Sequence, residues 1–411
     1  MPNPEADTYR QHERIASIDG LRGIAVSMVV LYHGWLLMFA HGIPPSKIHM
    51  NLFDRVFERG YLGVSLFLVL SGFCLSYPAL QRRAGAERQW FVPSIFFARR
   101  CLRILPAYYA ALFLCLLAGV FLAGRLPGLE VTHARSLPSF LSHLALVQNL
   151  TPYDRSINAP FWSLGLEWQW YLLFPIVLLM GIRYPRATGV ALLAAACITL
   201  AGKLGQGNTL FIPPARLFEF YIGIVCARLA VTQIIPGRAR LLSAAFLAVA
   251  LAEATGTGLR PVHEMVVRMG LHEPLYGVAF GCLLLLGYRA GSVRHALSWR
   301  PLSTLGVASY SIYLVHYPIV QAIDLYAPTS IRHSGVTMTL AVCGGVATGI
   351  SFYFLVERPS LSRAVSRALS PILRRAFQPL DAIWLRTESI VFGPSLTTNS
   401  VEQAMPVTSE V

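Results

Sequence analysis

Charged side chains are scarce in this sequence. Only 13% of its 411 residues are Asp, Glu, Lys or Arg, whereas a soluble domain carries about 25%. Hydrophobic residues make up 55% of the chain, and its mean hydropathy is +0.54. This composition excludes an intrinsically disordered chain and argues against a soluble enzyme. It predicts an all-α polytopic membrane protein, because long apolar stretches cross a bilayer as helices.

Several chemical signatures are also missing. The seven cysteines fall in apolar stretches or in segments assigned below to the cytoplasm, so no disulfide framework is expected. No CxxC pair or His/Cys cluster has metal-site spacing, and we expect no metal and no permanently bound cofactor. The GxSxG nucleophile elbow, the P-loop and the GxGxxG fingerprint are absent as well. Residues 1–17 are polar and lack a signal-peptide core.

Ten apolar stretches are each close to the ~20 residues that cross a bilayer as a helix. They comprise residues 20–40, 61–80, 104–124, 161–181, 187–203, 212–230, 240–257, 272–288, 303–326 and 335–356. The sequence therefore predicts about ten transmembrane helices in one membrane domain at 18–360. A cytoplasmic segment at 1–17 precedes this domain, and a partly disordered cytoplasmic tail at 361–411 follows it.

The distribution of basic residues supports this topology. The chain has 34 Lys and Arg against 20 Asp and Glu, a net charge of +14 that could also suggest a nucleic-acid partner. With both termini in the cytoplasm, the cytoplasmic segments hold about twice as many basic residues as the opposite side, which fits the positive-inside rule. The excess is therefore mainly an orientation signal. We expect no nucleic-acid partner and a multi-pass protein of the plasma membrane, the inner membrane in a bacterium.

The first apolar stretch carries two polar side chains that share a face. It opens with Asp19-Gly20-Leu21-Arg22-Gly23 and continues to His33. Polar groups inside a membrane are costly and usually functional. Arg22 and His33 are eleven residues apart, which places them on one helix face and about 16 Å apart along the axis. An extended ligand such as coenzyme A, with phosphates at one end and a thioester at the other, fits this spacing. Alternatively, Arg22 is an interfacial anchor and His33 a packing residue.

The fourth stretch contains Trp162-Ser163-Leu164-Gly165-Leu166-Glu167, which places a carboxylate about two turns inside the membrane. Such a carboxylate needs a partner or becomes neutral. If the two helices are neighbours, Glu167 lies at a depth comparable to that of His33. The pair could then deprotonate a hydroxyl, with the histidine as base and the glutamate orienting it. The alternative is a structural Glu167 that accepts hydrogen bonds from tryptophan or tyrosine.

Three further signals are weaker. Arg100 and Arg103, in the inner loop before the third stretch, stand at i and i+3 and could face one anionic group. Ordinary positive-inside charge is the simpler interpretation of this pair. Tyr310 and His316 lie in the ninth stretch, and the run Glu357-Arg358-Pro359 ends the tenth. By themselves, these last two signals favour a structural role.

Together, the segments resemble the acyltransferase-3 family of integral-membrane O-acyltransferases. Six motifs stand in the family's order between about residues 16 and 360. They are Asp19–Gly23 with His33, Gly-Val-Ser-Leu-Phe-x-Val-Leu-Ser-Gly-Phe at 63–73, Arg100-x-x-Arg103 leading to Pro106, Trp162-Ser163-Leu164-x-x-Glu167, Ser309-Tyr310 with His316, and Glu357-Arg358-Pro359. Some members carry an additional extracytoplasmic SGNH-type domain; we expect only the membrane domain here, because the chain ends soon after the last motif.

The resemblance implies ten spans with cytoplasmic termini, and transfer of an acyl group, usually acetyl, from cytoplasmic acyl-CoA to a hydroxyl of an acceptor. The family's essential histidine corresponds to His33. Arg22, Arg100 and Arg103 are expected to hold the acyl-CoA phosphates. His33 would act as general base or transient acyl carrier, with Glu167 beside it. The remaining substrate-binding or structural candidates are Asp19, Trp162, Ser163, Tyr310, His316, Glu357 and Arg358.

The acceptor stays open at this level. A cell-surface carbohydrate or glycolipid-linked glycan, such as O-antigen or exopolysaccharide, fits as well as a sugar on a small molecule such as a macrolide. A competing function is a proton-coupled transporter or flippase with Glu167, His33 and His316 as its proton path. The sequence lacks clear inverted repeats or paired broken helices, which weakens that alternative. The expected partners are acyl-CoA, a carbohydrate acceptor and the lipid bilayer.

Overall fold

The protein is described by a computed structural model at residues 15–37, 52–87, 89–122, 136–201, 213–253, 271–289, 291–332 and 334–393. Helices are the regular structure of these residues, and no strand occurs among them, which confirms the all-α fold. The helices are α1 (Ala16–Trp35), α2 (Leu52–Glu58), α3 (Gly63–Ala84), α4 (Pro93–Leu122), α5 (Leu137–Leu144), α6 (Trp162–Arg183), α7 (Pro185–Ala201), α8 (Pro213–Val231), α9 (Arg238–Ala252), α10 (His272–Tyr288), α11 (Ser292–Leu297), α12 (Arg300–Val307), α13 (Ser309–Tyr326), α14 (Gly335–Phe352), α15 (Arg358–Ser360), α16 (Arg363–Phe377) and α17 (Pro379–Phe392).

Several helices suit a bilayer. Among the described residues, four helical segments are long and apolar enough to cross one: Val56–Ala84, Pro93–Phe121, Ala159–Arg183 and Gly335–Ser360. Helices cover most of the described part of each of the ten predicted stretches. Parts of these stretches lie outside the described residues, namely 38–40, 123–124, 202–203, 212 and 254–257. Ten crossings with both termini in the cytoplasm therefore stay a prediction.

The ninth predicted stretch, 303–326, is not one continuous helix. The chain bends at Ala308, where α12 ends and α13 begins. Gly306, just before the bend, lies directly against the backbone oxygen of Asp19 in α1; a Cβ at position 306 would stand only 1.7 Å from that oxygen. The sequence pattern missed the bend because it depends on this contact between helices, which only glycine permits.

The prediction that Arg100 and Arg103 lie in an inner loop is also wrong. Both residues lie on the first half of α4, a continuous helix of 30 residues. Pro93 opens the helix, where a missing N–H costs nothing. The segment is charged because this part of the helix extends beyond the apolar stretch, and it keeps Arg100 and Arg103 one turn apart on one face.

The first helix is packed on several sides. α1 lies along α3 and α12 and also contacts α13 and α14. Leu21 and Val29 are buried in the main core, whereas Val30 is buried in a second cluster against Ile312 of α13. A helix that is apolar all round is typically buried inside its protein. The polar side chains of α1 are therefore carried into the interior.

The end of the described chain folds back onto α4. In α17, Trp384 is buried beside Phe91, with ring centroids 4.6 Å apart. Asp381 accepts hydrogen bonds from the backbone N and the Oγ of Ser94, at 2.8 and 2.7 Å, and so caps the start of α4. The helices α16 and α17 thus occupy 363–392 of the segment predicted as a partly disordered tail. Residues 394–411 lie outside the described residues.

Candidate active site

Residues from distant parts of the chain meet at one cavity of about 340 Å³. Its walls come from α1, α3, α4, α6 and α13. Seven predicted site residues line it: Asp19, Arg22, Arg100, Arg103, Ser163, Glu167 and Tyr310. The fold therefore brings together most of the polar groups that the sequence singled out.

Three arginines give the cavity a positive charge. Arg22 comes from α1, and Arg100 and Arg103 come from α4. Arg22 is within electrostatic reach of Arg103 and of the carboxylates of Asp19 and Glu357. The Nε of Arg100 is buried and has no hydrogen-bond partner among the described residues. Desolvated guanidinium groups without full compensation are costly, so an anion bound here is stabilised.

Glu167 is held in the cavity wall by hydroxyl groups. It accepts a hydrogen bond from the Ser71 Oγ at 2.9 Å and another from the Tyr171 hydroxyl. Ser71 belongs to α3, which contacts both α1 and α6. Glu167 therefore accepts a hydrogen bond from a tyrosine, as the structural alternative predicted. Its carboxylate also faces the cavity.

The predicted pair of His33 and Glu167 does not form. The ring partner of His33 is His316, with Nδ1 of His33 and Nε2 of His316 3.1 Å apart. The prediction is wrong because α1 packs against α3 and α13, so α13 rather than α6 faces this imidazole. His316 is fully buried, whereas His33 is half-buried.

Tyr313 lies beside both the cavity and the histidine pair. It lines the cavity, and its ring centroid lies 5.9 Å from that of His316. Its hydroxyl is 2.6 Å from the Ser163 Oγ and donates to the carbonyl of Pro160 at 3.1 Å. The residues that line the cavity do not include His33. Arg22 thus lines the cavity, whereas His33, on the same face of α1, does not.

A proline and an asparagine connect α13 to the start of α6. Pro318 lies inside α13 and has no N–H, so the carbonyl of Leu314, four residues earlier, loses its helical donor. The buried Asn158 supplies the replacement: its Nδ2 donates to that carbonyl at 2.9 Å. This bond fixes the chain just before the Trp162–Glu167 motif against the helix that carries His316.

The remaining predicted residues lie around the site rather than in it. Glu357 is buried and accepts a hydrogen bond from the Ser311 Oγ at 2.5 Å. Arg358 is exposed, with its guanidinium 5.7 Å from the Phe354 ring. Trp162 packs against the main core. None of these three residues lines the cavity.

Several polar residues of the cavity were not selected from the sequence, among them Ser71, Cys74, Tyr171 and Tyr313. Ser71 lies in the 63–73 run, where its neighbours suggested helix packing only. Cys74 is exposed to the cavity near Arg22 and Arg103. A signal was available for two of them, because Ser71 and Cys74 stand three residues apart and so share one face of α3.

Comparisons with known proteins agree with this assembly. A family model described as an acyltransferase domain matches residues 15–357. BcsY of Komagataeibacter xylinus, named as a membrane-bound transacylase, is 28% identical over 87% of this chain and 85% of its own length. The exopolysaccharide production protein ExoZ of Rhizobium meliloti is 29% identical over 76% of this chain and 93% of its own.

A third relative is longer. The peptidoglycan O-acetyltransferase OatA of Listeria monocytogenes is 25% identical over 76% of this chain, and the match covers 50% of OatA. No solved structure matches the chain. The matched region contains the first five sequence motifs and Glu357 of the sixth, together with the cavity and the histidine pair. The chain therefore belongs to the acyltransferase-3 family of membrane-bound enzymes, which transfer acyl groups other than aminoacyl groups.

Proposed function

We propose that the protein transfers an acyl group, acetyl in the first instance, from acyl-CoA to a hydroxyl of a cell-surface carbohydrate. The main support for acyl-CoA as the donor is that Arg22, Arg100 and Arg103 line one cavity. Coenzyme A is an anion with several phosphates, and guanidinium forks bind phosphate oxygens in pairs. With both termini in the cytoplasm, this end of α1 and α4 would take acyl-CoA from that side.

The acceptor half rests on the relatives. ExoZ is named for exopolysaccharide production and OatA for O-acetylation of peptidoglycan. Both names point to carbohydrate hydroxyls. A carbohydrate acceptor, free or linked to a lipid, is therefore the substrate class that we assign to this enzyme.

His33 is the proposed base. The acceptor hydroxyl gives its proton to the free nitrogen of His33, and its oxygen attacks the thioester carbonyl. The C–S bond then breaks, CoA leaves as a thiolate, and the thiolate takes the proton back from His33. Because His33 does not line the cavity, side chains of the cavity wall, Tyr313 among them, must move for the thioester to meet this imidazole. A transient acyl group on His33 is the alternative route.

A deletion strain tests the function. Surface glycans of a strain that lacks the gene should lose an acyl mass, which mass spectrometry reads directly. The native gene should restore the mass, and His33→Ala should not, at equal protein level in the membrane. His295→Ala is the matched control, because His295 is exposed on α11. Glycans that keep every acyl group without the gene, or that are acylated by His33→Ala, would contradict the proposal.

A further inference from the structure

The contacts of His316 show how protons are distributed over the histidine pair. Its Nδ1 lies 2.9 Å from the carbonyl oxygens of both Ile312 and Tyr313. Carbonyl oxygens only accept, so Nδ1 of His316 carries the proton. In the neutral ring, Nε2 of His316 then has a lone pair and can only accept.

This tautomer of His316 determines that of His33. The Nδ1 of His33 lies 3.1 Å from Nε2 of His316 and must donate to it. The His33 ring also interacts electrostatically with the backbone of Val29, four residues earlier. His143 and His316 each bond a carbonyl four residues earlier through Nδ1, and the same helical geometry gives His33 a second acceptor for its Nδ1–H. The proton of neutral His33 is thus on Nδ1, and Nε2 is left as the basic nitrogen.

We propose that His316 is a positioning residue that holds His33 in the Nδ1–H tautomer, so that Nε2 of His33 is the base of the transfer reaction. The inference rests on the proposed function and assigns the role of the second histidine in it. His316 does not touch substrate, because it is fully buried and both its ring nitrogens are engaged. His33, which is half-buried, is the member of the pair that substrate can reach.

The pair also stabilises the charge that develops during the reaction. When Nε2 of His33 takes the proton of the acceptor hydroxyl, the ring becomes an imidazolium. Its Nδ1–H then donates a charge-assisted hydrogen bond to the lone pair of His316. The carboxylate of a serine-protease triad orients its histidine in the same way, without taking the proton. The proton leaves from Nε2 to the CoA thiolate, and the His316 ring is unchanged at the end of the cycle.

Two substitutions separate orientation from packing. His316→Phe keeps the ring volume and removes the acceptor, whereas His316→Gln places an amide oxygen near the position of Nε2. The assay measures acyl transfer from acetyl-CoA to the glycan fraction that loses its acyl group in the deletion strain, with the protein in nanodiscs. We expect His316→Phe to lower kcat about 100-fold with KM for acetyl-CoA within about twofold. His316→Gln should recover at least about tenfold of that loss.

His143→Phe is the matched control. His143 is also fully buried in a helix, with its Nδ1 2.9 Å from the carbonyl of Ser139. This substitution should cost similar packing and leave kcat within about twofold. An unchanged kcat in His316→Phe would contradict the inference. Equal losses in His316→Phe and His316→Gln, at thermal midpoints equal to that of the native protein, would contradict it as well.

Nitrogen NMR identifies the tautomer of His33 without requiring catalytic turnover. In protein labelled with 15N-histidine, the resonances that disappear in His33→Asn should be one protonated Nδ1 and one unprotonated Nε2. In His316→Phe, this signature should be lost or averaged. A His33 protonated at Nε2 in the native protein would overturn the inference even if acyl transfer is confirmed. Absence of acyl transfer by the native protein would instead refute the proposed function and leave the NMR result to stand.

Discussion

At the scale of single residues, the cations of the site are not fully compensated, since the buried Nε of Arg100 has no hydrogen-bond partner among the described residues. Arg22, Arg100 and Arg103 share a cavity with Asp19 and Glu167, and Glu167 is already bonded to hydroxyl groups. Repulsion between guanidinium groups in a partly desolvated space is relieved when a polyanion binds. The cavity is therefore prepared for the phosphate-bearing end of a donor.

Cysteine labelling tests this prediction. Cys74 is exposed in the cavity, and Cys343 is exposed on α14 outside it. Desulfo-CoA, which has no thiol of its own, should slow maleimide labelling of Cys74 at least several-fold and leave labelling of Cys343 unchanged. Peptide mass spectrometry quantifies both sites in one sample.

The arginines should set the concentration at which protection appears. Arg100→Gln and Arg103→Gln each remove charge-assisted hydrogen bonds worth about 1.5–3 kcal/mol, so each should raise the half-protecting concentration by about tenfold or more. Protection that is the same in both variants as in the native protein would show that the anion binds elsewhere. Equal protection of Cys74 and Cys343 would show a non-specific effect.

At the scale of elements, the geometry of the site depends on contacts made where a helix lacks an internal hydrogen bond or where two helices meet at a bend. Pro318 removes a donor from α13, and Asn158 replaces it from the turn before α6. The bend at Ala308 between α12 and α13 likewise coincides with the contact of Gly306 on α1. These features position the helix that carries Tyr313 and His316 relative to the cavity.

A double-mutant cycle tests the link between α6 and α13. Asn158→Ala leaves the carbonyl of Leu314 buried without a donor and should cost about 1–3 kcal/mol, seen as a lower thermal midpoint in detergent. In a Pro318→Ala background, the new N–H bonds that carbonyl, so Asn158→Ala should cost less than about 0.5 kcal/mol. Equal costs in the two backgrounds would show that Asn158 acts through other contacts.

At the scale of the whole molecule, charge distribution predicts orientation. The basic residues concentrate on the side that holds both predicted cytoplasmic termini. Arg22, Arg100 and Arg103 lie at the same end of the bundle, because α1 begins and α4 is still in its first half there. The donor cavity and the two termini are thus predicted on one side.

Reporter fusions test that orientation. A fluorescent protein fused to either end should be bright in the cytoplasm, and alkaline phosphatase fused to either end should be inactive. Alkaline phosphatase placed after residue 130, in the outer segment between the third and fourth predicted stretches, should be active. An odd number of crossings would reverse one terminus and would contradict the ten-span topology.

The sequence by itself determined that this protein is membrane-bound, that it is all-helical and which family it belongs to. These depend on composition, on apolar stretches near bilayer length and on six local motifs, each of which is visible along the chain. It also selected seven of the polar residues that line the cavity, because a polar side chain in an apolar helix is rare enough to stand out.

Only the tertiary structure decided which residues are neighbours. Helical periodicity places Arg22 and His33 on one face, but it does not say that α13 rather than α6 packs against His33. For that reason the histidine pair, the hydroxyl groups bonded to Glu167 and the place of Tyr313 beside His316 were not predictable. Pairing between helices depends on close contacts such as that of Gly306 with Asp19, which arise only when distant parts of the chain meet.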